Sequence, residues 1–452
     1  MGDKMIFCCS NCGYLTPKWM GKCPDCNRWN TMEEKAVDKK TQNKNQVSFD
    51  DKNPLAEPMP VTELKHEKQD RVKSGIEEID RVLGGGVFPG ASILLGGDPG
   101  TGKSTLMLQI AFSLADNFFP IYYLSGEESP PQIHDRCSRL GTLHSNIYIS
   151  CETNWDKIKA ELVELAPKLV IIDSIQTIYF PQINSLPGSL KQVKESSSRL
   201  VRFTKDNEIA CFIIGHVTKD GEIAGPKVLE HMVDTVLWLE GENQYSYRIL
   251  RSSKNRFGAT EIGVFEMGQR GLKEVNNPSK FFLKEKLGER PGSCVTACME
   301  GTRPVLLEVQ SLTGETNFTS PRRMTTGVDY QRVLLIIAVL EKRLNLSLGY
   351  YDVFVNIVGG LKIKEPAVDL AVALSLVSSY KNKPIDKSLI VFGEVGLTGE
   401  IRNVTNIDQR LKEAKKLGYD TALVPRGIIK ENEGMEVVQV NNLKEALSVS
   451  IG

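Results

Sequence analysis

The sequence predicts an α/β protein in three parts: a short metal-binding segment, a nucleotide-binding core built on a mostly parallel sheet, and a second α/β unit. Three observations carry this. The stretch LGGDPGTGKSTLMLQ from Leu94 places four residues between Gly97 and Gly102, followed by Lys103 and Ser104, which is the spacing of a phosphate-binding loop. Around it, short apolar runs alternate with stretches of helical period. Ahead of it, two Cys-x-x-Cys pairs crowd into the first 26 residues.

Composition bounds the class. At 452 residues the chain exceeds a single core and calls for roughly two to four domains. Its 41% apolar and 25% charged residues describe an ordinary soluble globular protein. Because 56 basic residues balance 56 acidic ones, any binding to nucleic acid or anionic membrane has to come from local clusters. The longest apolar run, Val333 to Leu340, is too short to span a bilayer, and Met1 to Phe7 is no signal peptide. A cytoplasmic location without membrane association is expected.

In chain order, Cys9 and Cys12 form one pair and Cys23 and Cys26 repeat it, which is the donor set of a tetrahedral Zn²⁺ knuckle with too little apolar mass to fold without metal. Cys8 is the alternative register for Cys9. Trp19 and Trp29 are expected to form the knuckle's small core; exposed beside Lys18, Lys22 and Arg28, they would instead stack on a base. From Glu33 to Pro60 the composition turns to Lys, Asn, Asp and Gln, as in a linker.

In the core, Ala91 to Leu95 reads as a strand and Thr105 to Leu114 as a helix. Between them, Gly97, Asp98, Pro99, Gly100, Thr101, Gly102, Lys103, Ser104 and Thr105 are expected to bind ATP. The glycines turn N–H groups inward, Lys103 reaches the β and γ phosphates, and the Ser104 hydroxyl holds Mg²⁺. Further strands are expected at Pro120 to Leu124, Asn146 to Ser150, Leu169 to Asp173, Ala210 to Gly215 and Thr235 to Leu239, in a sheet covered on both faces. Ligands of such sheets lie beyond the carboxyl ends of the strands. There Asp173 suits the Mg²⁺ shell, Glu127 or Glu128 an attacking water, and His216 a hydrogen bond to the γ phosphate.

The order GGGVFPG, GGDPGTGKST, YLSGEES, VIIDSIQT, GHVTKDGEIAGPKVLEHMVD and KNRFG resembles the RadA (Sms) family of bacterial DNA repair ATPases, which are RecA-like proteins, and the likeness runs from the Cys9 knuckle to the C-terminus. The resemblance implies a RecA-like P-loop core and a DNA-dependent ATPase and helicase in homologous recombination that extends strand exchange by branch migration. It implies single-stranded DNA, branched recombination intermediates and a recombinase as partners, and a homo-oligomeric ring, a hexamer. Lys103, Ser104, Glu127 and Asp173 match its nucleotide and hydrolysis positions, with Glu128 one residue from Glu127. Lys254 and Arg256 of KNRFG match its signature, and ring helicases of this fold present such cations to the γ phosphate of the neighbouring subunit. Two loops, Tyr179 to Ser189 and Val217 to Leu229, are too polar for packed core and would line a ring's channel, where Lys219 and Lys227 would meet DNA phosphates.

The last part reads as a hairpin from Val295 to Leu312, helices at Gln331 to Leu346 and Pro366 to Ser379, then Leu389 to Gly393, a helix at Gln409 to Leu417, and Thr421 to Pro425. By this order and by GEVGLTGEIRNV it resembles the proteolytic domain of Lon proteases. Such a protease needs a Ser nucleophile and a Lys base, whereas Ala367 stands at the serine's place and Ile407, Asp408 and Gln409 offer no lysine. A scaffold that builds the ring, and binds duplex DNA, is the role left to it. The expected divisions are a C4 zinc finger at 1–32, a linker at 33–60, the ATPase unit at 61–277 and the Lon-protease-like unit at 278–452. Two other readings compete: an ATP-dependent Lon-like protease, disfavoured by the missing Ser and Lys, and a KaiC-like regulatory ATPase, which shares the phosphate loop but neither the knuckle nor KNRFG.

Overall fold

The computed structural model describes residues 5–10, 15–16, 18–24, 28–36, 60, 70–141, 143–215, 229–241, 246–283, 290–427, 429 and 432–451. Cys12, Cys26, His216, Lys219, Lys227 and most of the expected linker lie outside the described residues.

At the N-terminus β1 (Met5–Cys9) pairs antiparallel with β2 (Leu15–Thr16) and β3 (Met32–Ala36). The enclosed side of this ribbon holds Cys9, Cys23 and Met32, with Phe7 packed against them. Trp19 and Trp29 are 59% and 69% exposed, so the expectation that they form the knuckle's core is corrected. The reason is space: the narrow inner side is filled by two thiols and a thioether, and the indoles lie outside, bordering Gly21.

The central sheet follows from a strict alternation within apolar strands. Its strands are β4 (Ser92–Gly96), β5 (Ile121–Ser125), β6 (Ile147–Ser150), β7 (Leu169–Asp173), β8 (Ala210–Ile214), β9 (Thr235–Glu240), β10 (Tyr247–Asn255), β11 (Ile262–Gly268) and β12 (Gly271–Glu274). Among the described residues they make one sheet in the order β12-β11-β10-β9-β4-β8-β7-β5-β6. It is parallel from β9 to β6 and ends in an antiparallel meander of β10, β11 and β12. Side chains of period two divide between its faces. Ile93, Leu95, Ile171 and Phe212 pack with helices α1 (Glu77–Val82), α2 (Lys103–Leu114) and α3 (Pro130–Leu140). Leu94, Val170, Ile172 and Ile213 pack with α4 (Trp155–Leu165) and α5 (Leu190–Asp206). Each fully buried side chain of this kind contributes about 1.5–3 kcal/mol, so both layers are needed to cover the strands. Helix α2 starts at Lys103, two residues before the expected start, because left-handed Gly102 is its N-cap (φ 104°).

In the last part, β13 (Ser293–Glu300) and β14 (Arg303–Glu315) form the expected hairpin, and β15 (Arg323–Thr326) and β16 (Tyr351–Ile357) complete a sheet ordered β13-β14-β16-β15. Helices Tyr330–Leu344 and Asp369–Lys381 pack on it, the latter buried along most of its length. Then β17 (Leu389–Val391) pairs parallel with Thr421–Pro425, which pairs parallel in turn with Glu436–Val440. The sheets on either side of Pro278 share one core: Tyr247, Ile249, Ile262 and Val264 cluster with Phe282, Cys294, Val309 and Leu376. Arg303 clamps that contact by bonding both oxygens of buried Glu78 at 2.9 and 3.0 Å, and Arg251 pairs with Glu300. No helix among the described residues is long and apolar enough to cross a membrane.

Candidate nucleotide site

The phosphate loop leaves the carboxyl end of β4 at the middle of the sheet. Glycine is required at two of its positions. Gly97 has φ 146°, and a Cβ there would stand 2.4 Å from the Leu239 carbonyl oxygen; Gly102 has φ 104°, a left-handed conformation that residues with side chains rarely adopt. Asp98, Pro99 and Gly100 are exposed, Thr101 is buried, and Ser104 and Thr105 form the half-buried first turn of α2. A Cβ on Gly100 would meet nothing within 4 Å, which leaves the loop's open side free for a ligand. Lys103 is buried and donates to the Gly97 and Asp98 carbonyl oxygens, each at 2.8 Å. Burial lowers its pKa from the usual lysine value, against the carboxylates of Asp173, Asp98 and Glu127, which favour the charge. The loop therefore holds a desolvated cation beside a helix N-terminus, a donor set that fits a polyphosphate.

Two carboxylates approach it from neighbouring strands. The parallel pairing of β5 and β7 sets Ser125 level with Asp173. Asp173 is buried and accepts a hydrogen bond from the Tyr123 hydroxyl at 2.8 Å, and burial with this carboxylate raises the Tyr123 pKa well above its usual value. Glu127 lies just past β5, exposed, and accepts from Ser174 Oγ at 2.5 Å. Glu128 pairs instead with Arg136 of α3. Lys103, Ser104, Asp173 and Glu127 thus gather at one strand end.

Lys254 and Arg256 do not join them. Because β4 pairs with β9 from Ile93↔Thr235 to Gly96↔Trp238, and Thr235 pairs with Asn255, KNRFG sits at the opposite end of the strands. Three strand residues separate the two levels, about 10 Å before the loop even begins. Asn255 accepts from the Phe257 N–H and Phe257 stacks on Phe88 at 4.7 Å, so these residues fix the turn. The Lys254 ammonium donates to the Glu230 and Val233 carbonyl oxygens, both at 2.7 Å. Its pKa is lowered, first by burial and then by Arg256. Arg256 stays 55% exposed and pairs with Asp234 at 3.1 Å. Asp234 also takes Lys205 at 2.8 Å and Ser92; although its burial favours the neutral acid, these bonds hold its pKa below the usual carboxylate value.

Arg248 is a site residue that sequence reasoning missed. It is buried in β10, donates Nε to the Thr101 carbonyl at 3.2 Å, and crosses Gly241, where a Cβ would clash with it. It braces the phosphate loop from behind as a positioning residue. A hydrogen bond from a charged group contributes about 1.5–3 kcal/mol. Arg248→Met is therefore expected to weaken ATP binding roughly ten- to hundredfold in a nucleotide titration, and an unchanged affinity would remove this role.

The other expected positions divide. In the loop Tyr179 to Ser189, Phe180 is buried, and Gln192 bonds the backbone of Phe180, Ile183 and Ser185. Its first half is thus packed, contrary to expectation, because one buried amide satisfies the backbone polar groups. Leu186 at the tip is 80% exposed. Ala367 lies fully buried among Ile390, Phe392, Ile407 and Leu411. Beside it Arg410, fully buried, pairs with Glu365 and lies 5.7 Å from the Phe392 ring centre. At the ribbon, Cys9 and Cys23 are buried side chains of the type zinc requires, and the other two expected ligands, Cys12 and Cys26, lie outside the described residues. About one zinc per chain is expected by metal analysis, lost in Cys9→Ser or Cys26→Ser; metal-free protein purified without chelator would contradict the knuckle.

Comparison with known proteins adds the family. A model described as an AAA domain matches residues 58–222, one described as a rubredoxin metal binding domain matches 7–34, and one described as subunit ChlI of Mg-chelatase matches 331–428. A solved structure of a KaiC-like protein from Pyrococcus horikoshii aligns with 46% of this chain and 99% of its own, at 22% identity and a TM-score of 0.39. The DNA repair protein RadA of Halalkalibacterium halodurans is 48% identical over 457 residues, covering 99% of both chains. The RadA proteins of Bacillus subtilis and Synechocystis are 47% and 46% identical, covering 99% and 98% of this chain and 99% and 94% of their own. With that identity held over nearly the full length of each, the chain belongs to the RadA family of DNA repair proteins.

Proposed function

We propose that the chain is a DNA-dependent ATPase and helicase that drives branch migration of recombination intermediates, acting in the cytoplasm as a homo-oligomeric ring beside a recombinase. The observation that carries the reading is the division of the hydrolytic groups. Lys103, Ser104, Asp173 and Glu127 stand at one end of the parallel strands, and Lys254 and Arg256 at the other. A cation at the far edge cannot complete its own site, but in a ring it faces the loop of the next copy.

The roles follow from the contacts. Backbone N–H groups of the loop and the Lys103 ammonium bind the phosphates. Bound Mg²⁺ would neutralise the β and γ phosphate charge, and Ser104 and Asp173 are the residues that would hold it. Glu127, oriented by Ser174, accepts a proton from the attacking water. Arg256 of the adjoining copy stabilises charge on the transferring phosphoryl group. Coupling hydrolysis to assembly ties each step to the ring, and so to DNA threaded through it.

Peptidase activity is not part of this reading, because Ala367 has no hydroxyl and is sealed in apolar packing beside Arg410. The test is the steady-state ATPase rate with and without single-stranded DNA. Stimulation several-fold or more is expected, and a rate indifferent to DNA would favour a regulatory ATPase of the KaiC kind.

A further inference from the structure

The phosphate loop borders a cavity of about 330 Å³ whose far wall comes from the C-terminal unit. Gly97, Asp98, Trp238 and Tyr247 line one side; Gly360 and Lys362, which follow β16, line the other. Lys362 is the one cation among the described lining residues, and it shares the space with the carboxylates of Asp98 and Glu240. Glu240 is already paired with Arg251 at 3.3 Å.

The presentation of Lys362 is built. β16 ends in a turn through Gly359 and Gly360, with φ 90° and 66°. A Cβ on Gly359 would lie 2.7 Å from the Phe282 ring, so the turn packs tightly against the segment joining the two sheets. Leu361 and Ile363 on either side are buried, and the Ile363 N–H donates to Gly327 at 2.8 Å. The alternation leaves Lys362 outward and exposed. The whole unit is held to the ATPase sheet by the Arg303–Glu78 and Arg251–Glu300 pairs and by the Thr302 N–H, which donates to Glu261 at 3.1 Å.

The end of the loop that borders this cavity is identifiable. Phosphate loops cradle the α and β phosphates at the helix N-terminus, and their lysine reaches the β and γ phosphates. Here the Lys103 ammonium rests on the carbonyls of Gly97 and Asp98, the strand-side end that also lines the cavity. The terminal phosphate therefore belongs at the end where Lys362 stands. We propose that Lys362 is a contact for the γ phosphate of the bound nucleoside triphosphate, supplied within the same chain, by which the C-terminal unit distinguishes the triphosphate from the diphosphate. The proposal rests on the nucleotide-binding reading above and adds to it a second cation from outside the ATPase core.

The test compares the full-length wild type with Lys362→Ala and Lys362→Arg, titrating each with a fluorescent ADP and with a non-hydrolysable ATP analogue in Mg²⁺ buffer. Lys362→Ala is expected to lose roughly tenfold in affinity for the triphosphate analogue with ADP affinity unchanged, the size of one charge-assisted hydrogen bond. Lys362→Arg is expected to keep most of the preference. An unchanged ratio of triphosphate to diphosphate affinity in Lys362→Ala, whether both stay or both fall together, would overturn the proposal. Lys103→Ala in the same titrations is expected to weaken both nucleotides. If the wild type binds neither, the nucleotide-site reading itself fails, and this proposal with it.

Discussion

Arg256→Ala is expected to bind ATP and assemble as the wild type does, yet turn over about 10³- to 10⁵-fold more slowly, the range for loss of an arginine finger. Its ion pair with Asp234 does not stand in the way. The Arg256 side chain is 55% exposed there although Asp234 is buried, so the guanidinium is free to leave from its solvent side. Asp234 keeps Lys205 when Arg256 leaves, which limits the cost. Lys254 is expected to behave differently. Its ammonium holds two backbone carbonyls, so Lys254→Ala would disturb the segment ending at Val233 as well as any phosphate contact. The alternative role for Arg256 is a DNA phosphate contact; a normal basal rate with reduced DNA affinity in Arg256→Ala would establish it.

Glu127→Gln is the second large effect. The amide keeps the volume and can still accept the Ser174 hydrogen bond through its oxygen, so ATP binding should persist. It cannot take a proton from water, and loss of a general base slows hydrolysis about 10²- to 10⁴-fold. Glu128→Gln serves as the comparison. Glu128 is engaged with Arg136, so its replacement should loosen the start of α3 and leave most turnover intact. Single-turnover hydrolysis of both variants decides the register: normal hydrolysis by Glu127→Gln and loss in Glu128→Gln would move the base by one residue.

The parts of the fold that could be read from sequence are those in which one local signal dominates. Leu169 to Asp173 is uninterrupted apolar sequence ending in a carboxylate, and it is a strand buried along its full length. Thr421 to Pro425 is likewise a mainly apolar run, and it is a strand buried from Ala422 onward. The strands of the antiparallel meander were harder, because β11 and β12 mix Glu, Lys and Gly with apolar residues and owe their pairing to neighbours rather than to composition. For Trp19 and Trp29 hydrophobicity points to an interior, a rule that fails where the enclosed side holds Cys9, Cys23 and Met32. Arg248 gave no signal at all, since a lone arginine in a strand normally points to solvent; its role exists only through a contact 147 residues away. Asp234, just before β9, and Lys205 of α5 likewise meet only in the fold, and Lys205 lies in no motif. Lys362 carries no local signal beyond a charge between two apolar residues, and its cavity depends on how two sheets pack against each other.

That the hydrolytic site is divided between adjoining copies is tested most directly by mixing Arg256→Ala with Lys103→Ala. The first retains an intact phosphate loop and lacks the finger; the second retains the finger and lacks the loop lysine. Each alone should barely hydrolyse ATP. Mixed rings contain interfaces at which the loop of one meets the finger of the other, so ATPase activity measured after mixing should rise well above the sum of the two parents. No rise in rings verified to contain both chains, or an Arg256→Ala parent that already hydrolyses at the wild-type basal rate, would contradict a shared site.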